Sequence, residues 1–133
     1  MGLSQPARDR FDRELEGVLA EMPPLVHELL ERIPLHVEDY PSREVMKDKD
    51  IDDPEGLCGL FSGIALPDRS VEQSGTLPEV VTIYRMGILA AARDRRGRVR
   101  PRRLREEIRI TVLHELAHFH GLTEEQLEEL GYG

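Results

Sequence analysis

The sequence predicts an α+β fold, in which N-terminal helices and a small mixed sheet pack against one long helix near the C-terminus. Three observations carry that expectation. Leu35-His36-Val37-Glu38 alternates apolar and polar residues, Glu79 to Arg85 is a run of β-branched and aromatic residues, and Leu104, Ile108, Val112 and Leu116 recur every four residues. The first two patterns are those of strands, and the third is a helix stripe.

The length of 133 residues suits a single domain, read as N-terminal helices over 1–32 and a core over 33–133. Apolar residues at 39% and charged residues at 33%, with a net charge of −8, describe a polar-surfaced globular chain. No run of residues is apolar enough to span a membrane, and Met1 to Arg10 lacks the apolar centre of a signal peptide. A cytoplasmic location is expected. The single Cys58 can form no internal disulfide, in keeping with a reducing compartment.

Phe11, Leu15, Val18, Leu19 and Met22 fall at helical spacing, with Ser4 or Asp9 placed to cap or charge the first turn. Pro23-Pro24 stops this helix. A proline suits the first position of the next one, whose apolar face is Leu25, Val26, Leu29, Leu30 and Ile33. His27 on that helix reads as a surface or half-buried histidine and His36 on the following strand as a solvated one, neither as catalytic.

Residues 41 to 57 read as a charged surface loop. Asp48, Asp50 and Asp52 have the spacing of a calcium loop, but Asp53 stands where a turning glycine is needed and Gly59 where a bidentate glutamate is needed. Gly59 and Gly63, set among apolar residues from Leu57 to Leu66, suggest a strand with a bulge or a close backbone approach. Leu66 to Ser70 and Gln73 to Thr76 are turn-like, Glu79 to Arg85 is the strongest strand, and Met86 to Ala92 is a short helix.

From Arg93 to Arg105 eight arginines meet one aspartate, about +7 in all, which leaves about −15 on the rest of the chain. Nucleic acid is the first partner such a run suggests. Against it stand the acidic total, the absence of aromatic residues from the run and the lack of a recognisable binding fold. A solvated loop paired with the protein's own carboxylates is the plain alternative, although positive charge at the start of a helix opposes the helix dipole.

The long helix carries His114-Glu115-Leu116-Ala117-His118. Two histidines four apart on a helix share a face, and the glutamate beside the first can reach a water held between them, which outlines a catalytic zinc site. An amphipathic helix with half-buried histidines is the competing reading. Gly121 is placed to end the helix in a left-handed turn, and Thr123 with Gln126 forms a capping-box pattern for a last helix buried by Leu127 and Leu130.

From His114 to Glu124 the chain reads H-E-L-A-H-F-H-G-L-T-E, which resembles the H-E-x-x-H-x-x-G-x-x-D signature of the mini-zincins. These are small bacterial zincin-like metallopeptidase domains related to the Asp-zincins and metzincins. Val37 to Pro41, Leu57 to Gly63, Leu66 to Ser70 and Thr82 to Arg85 resemble the strands and turns of that group, so the likeness runs over about residues 33 to 133. It implies a minimal zincin-like fold that binds Zn²⁺ through His114, His118 and Glu124, with Glu115 as the general base for hydrolysis of a peptide or protein substrate. The sequence departs from the pattern in having Glu124 where the signature has Asp. Glutamate is an accepted zinc ligand, with Glu125 and then His120 as competitors.

The resemblance also implies a role for Tyr132, since a C-terminal aromatic in such domains takes the place of the methionine turn beneath the metal. A frayed tail is the alternative. Tyr132 and His120 are the candidates for stabilising an oxyanion. In zincin-like folds a strand beside the metal pairs with extended substrate, while a free strand edge would equally serve a homodimer. Two other functions stay open: a catalytically inactive zincin-fold binding module, and an adaptor that uses residues 93–105 to bind an acidic partner.

Overall fold

Ser4 opens the first helix, α1 (Gln5–Ala20), by accepting the Ala7 N–H through its hydroxyl. Phe11, Leu15 and Val18 are buried along one face, as the spacing predicts. Pro24 begins α2 (Pro24–Arg32), which buries Leu25, Val26 and Leu29 and leaves His27 exposed. The computed structural model describes residues 2–63 and 79–132. The turns read at Leu66 to Ser70 and Gln73 to Thr76, and the end of the Leu57-to-Leu66 stretch, lie outside the described residues.

Three strands form one sheet. The strand β1 (Leu35–Glu38) lies parallel to β3 (Val80–Tyr84), and β2 (Gly59–Ser62) lies antiparallel to β3 on its other side. The sheet is mixed, as expected, and among the described residues β2 is one of its edges. In β1 His36 is exposed between half-buried Leu35 and Val37. After β3 the chain passes at once into α4 (Arg85–Ala92) and, beyond the arginine-rich turn, into α5 (Pro101–Leu116). Leu104, Ile108, Val112 and Leu116 of α5 are fully buried. One cluster of buried apolar side chains runs from Phe11 through the sheet and α5 to Leu130.

Two expectations need correction. The charged segment 41–57 is not all loop: it holds a helix, α3 (Arg43–Asp48), capped by the Ser42 hydroxyl, and a 3-10 turn (Pro54–Gly56) capped by Asp53. No residue of α3 is buried, so it carries no apolar stripe for a periodicity reading to find. Nor does Gly121 end α5 with a left-handed turn. The helix stops at Leu116, and its last turns tighten as the His118 N–H donates to the Glu115 carbonyl. Gly121 is not among the glycines with positive φ. It is small because a Cβ there would collide with the Phe119 ring, 2.6 Å from Cε2. Phe119 is buried beneath the guanidinium of Arg32, so the chain after the histidines is anchored by an aromatic side chain.

An ion-pair network ties α1 to the sheet. Arg85 donates from Nε and Nη2 to the two Asp12 oxygens and from Nη1 to Asp39, each at 3.0 Å, and Asp39 also meets Arg8 at 2.7 Å. The Arg8 guanidinium, then Arg85, holds the Asp39 carboxyl below its ordinary value against the opposing effect of burial. A lowered carboxyl stabilises the fold above its ordinary pKa, and that contribution fades as pH falls through the folded value. Arg85→Met should therefore cost about 2 kcal/mol at neutral pH, below the full penalty for orphaning a buried charge because the groups keep some solvent. Urea midpoints of the parent and this variant should converge as pH falls through the lowered folded value of Asp39. A constant gap would mean that packing, not charge, sets the difference.

Candidate metal centre

Helical spacing brings His114 and His118 together. Their ring centroids are 5.1 Å apart and their planes 83° from parallel, with both side chains exposed. Glu115 beside them is buried, only 9% exposed. Its cover comes from β2, since a Cβ on Gly59 would lie 2.9 Å from Thr111 Cγ2, 3.0 Å from Glu115 Cγ and 3.2 Å from the Thr82 carbonyl oxygen. The close backbone approach expected at Gly59 is thus the contact between β2 and the motif helix. Thr111 is buried beside it, its hydroxyl donating to the Glu107 carbonyl at 2.8 Å.

Between helix and strand lies a hollow of about 330 Å³ lined by Lys49, Leu57, Gly59, Leu60, Phe61, His114, Glu115 and His118. Burial pushes the Glu115 carboxyl above its ordinary value, opposed by the charges of His114, His118 and Lys49 and by the Phe61 N–H. A carboxylate made more basic in this way suits proton transfer near neutral pH.

Gly131 takes a left-handed φ of 97° after the last helix, α6 (Glu124–Leu130), and the Tyr132 N–H then donates to the Leu127 carbonyl at 2.8 Å. This turn sets the Tyr132 ring edge-on to His114 with centroids 6.0 Å apart. Burial, then the nearby Glu115, raises the phenol above its ordinary pKa, so it keeps its proton.

Glu124 is the exposed first residue of α6, behind the complete Thr123–Gln126 capping box. Among the described residues, no group of three His, Cys, Asp or Glu is assembled into a metal site. The structure therefore joins His114, His118, Glu115 and Tyr132, and it does not complete a ligand set with Glu124, Glu125 or His120. The two imidazoles fit the nitrogen part of a zinc donor set. Lys49 is the lining residue that the sequence does not reveal: it follows α3 in the segment read as loop, and no local pattern aims it at the motif helix.

The chain matches the zincin-like metallopeptidase family over residues 30–133 and belongs to that family. No curated protein matches it. Helix α1 and most of α2 precede the matched span, yet Phe11, Leu15 and Val18 share its core. No helix of the described residues is long and apolar enough to cross a membrane.

Proposed function

We propose that this chain is a zinc-dependent peptidase that cleaves peptide bonds in an extended substrate laid along β2. The observation supporting this reading is the buried carboxylate of Glu115, flanked by two exposed imidazoles on the wall of an open hollow whose opposite wall is a sheet edge. His114 and His118 would hold the metal. Glu124, which stands at the acid of the family signature, would be the third donor. Bound zinc supplies a Lewis acid that polarises a carbonyl and acidifies water.

The chain's own groups divide the remaining work. Glu115 accepts the proton of the attacking water and returns it to the leaving amine, a shuttle favoured by a carboxyl whose pKa burial has raised. Tyr132, protonated and beside His114, would donate a hydrogen bond to the oxyanion that develops on the carbonyl. Leu60 and Phe61 on the edge strand offer backbone groups and apolar contact to a peptide in extended form.

Elemental analysis after dialysis against zinc tests the reading. The parent protein should retain about one zinc per chain, and His114→Ala or His118→Ala should retain none. Glu124→Ala should weaken zinc binding by at least about tenfold, while Glu125→Ala should leave it near the parent value. Equal binding by Glu124→Ala would give the third position to another donor. A parent that holds no zinc would end the peptidase reading and leave a binding module with the same fold.

A further inference from the structure

The fold decides which of the eight arginines between Arg93 and Arg105 act together. Arg93 and Val99 form an antiparallel bridge, and Gly97 turns the chain with a left-handed φ of 76°. Asp94 Oδ1 accepts the Arg96 and Arg98 N–H groups at 2.8 and 3.0 Å, and Arg10 of α1 donates to the Val99 carbonyl. The turn is therefore held from inside and from α1. In this shape Arg93, Arg98, Arg100 and Arg103, with Ala92 and Asp94, line a second hollow of about 330 Å³. The hollow adjoins the N-terminus of α5, which has no capping side chain and no acid in its first turn. Guanidinium groups and the positive end of a helix dipole meet there, a combination that an anion would stabilise.

The protein's own carboxylates answer only part of this charge. Arg93 reaches Glu55 at 2.6 Å, Arg103 reaches Glu107 at 3.1 Å and Arg105 reaches Glu14 at 3.0 Å. Arg100 lies 3.6 Å from Asp94 with its side chain 73% exposed. Among the described residues, Arg95, Arg96, Arg98 and Arg102 pair with no carboxylate.

We propose that this hollow binds a diphosphate group, supplied either as free pyrophosphate or by a nucleoside diphosphate. Each guanidinium presents five N–H donors in a planar fork, more in total than the two oxygens of one carboxylate can accept. A phosphate brings three strong acceptor oxygens and close to two charges, and a diphosphate carries more of both in a compact volume. The net charge of −8 favours a small anion, because it repels an extended acidic peptide or nucleic acid over the rest of the surface. The arginine stretch also lacks the aromatic side chains on which bases stack. The site is independent of the histidine pair: Arg103 and His114 lie roughly 16 Å apart along α5.

Calorimetric titration of the full chain with pyrophosphate at low ionic strength tests the proposal. Saturable one-to-one binding is expected, weakened by at least about tenfold in the double variant Arg98→Gln, Arg100→Gln. Among the described residues Arg98 pairs with no carboxylate and Arg100 meets only Asp94, at 3.6 Å and with its own side chain 73% exposed, so the variant should melt close to the parent in the absence of ligand. Should it unfold, Arg103→Gln alone must show the loss. ADP binding as well as pyrophosphate would show that the diphosphate alone is read, and much tighter ADP binding would identify a nucleotide as the source. A titration that fails to saturate, or binding that survives in these variants, would overturn the proposal. So would retention of poly-glutamate or a single-stranded oligonucleotide by a protein that ignores pyrophosphate.

Discussion

Glu115→Gln should abolish hydrolysis of a quenched-fluorescence peptide library while zinc stays bound. The expected fall is about 10²- to 10⁴-fold, the usual worth of a positioned general base, with metal content per chain unchanged from the parent. Glutamine keeps the shape and the buried position of the side chain but cannot take a proton. An active variant would remove Glu115 from the chemistry. The same change should stabilise the metal-free protein. Burial raises the Glu115 carboxyl, so the fold loses stability as pH rises from the ordinary carboxyl value to the folded one, and that loss is complete above the folded value and absent below the ordinary range. The variant should accordingly melt higher than the parent at pH about 8, with the gap closing toward pH about 4. A gap that is flat with pH would show that the charge is not what burial penalises.

Gly87→Ala should be the most damaging small substitution in the chain. A Cβ at this position in α4 would fall on the Leu57 carbonyl oxygen, 2.7 Å from its carbon and 3.1 Å from the Cys58 nitrogen. These are backbone atoms, which cannot rotate aside, so the strand entry or the helix must move. The cost should reach about 3 kcal/mol or more, near the upper end for overpacking, and lower the melting temperature by on the order of 10 °C. The damage should extend to the site. Leu57 lines the hollow beside the histidines, and the Cys58 carbonyl accepts the Tyr84 N–H at 2.8 Å to begin the pairing of β2 with β3. Gly17→Ala is the contrasting case. Gly17 is exposed within α1 with nothing within 4 Å of its added Cβ, so alanine there should stabilise by roughly 0.5 to 1 kcal/mol. Thermal melts of the two variants would check both signs, and a Gly87→Ala protein as stable as the parent would deny the close contact between α4 and the strand entry.

Much of this architecture is legible in the order of the residues. The apolar rows of α1, α2 and α5, the alternation of β1 and the capping box of α6 all depend on residues a few positions apart, and local stereochemistry fixes what such residues can do. The histidine pair belongs to the same class. The helix α3 is not legible in this way, because none of its side chains is fully buried and it leaves no apolar stripe. Gly121 misleads for a related reason: glycine after a helix commonly marks a left-handed turn, but here the space it leaves is taken by the Phe119 ring. Glu124 keeps the position of the family's acid, yet its sequence offset does not bring it into a three-group site with the histidines.

Short-range periods of the backbone are enough to set the helix faces, the strand segments and the juxtaposition of His114, Glu115 and His118, and all of these are written in the residue order alone. The burial of Glu115 is not, because its cover is a glycine on β2 far away in the chain. Long-range packing likewise brings Lys49 to the hollow and turns Tyr132 back toward His114. Burial and convergence are sums over residues distant in sequence, and no local pattern encodes them.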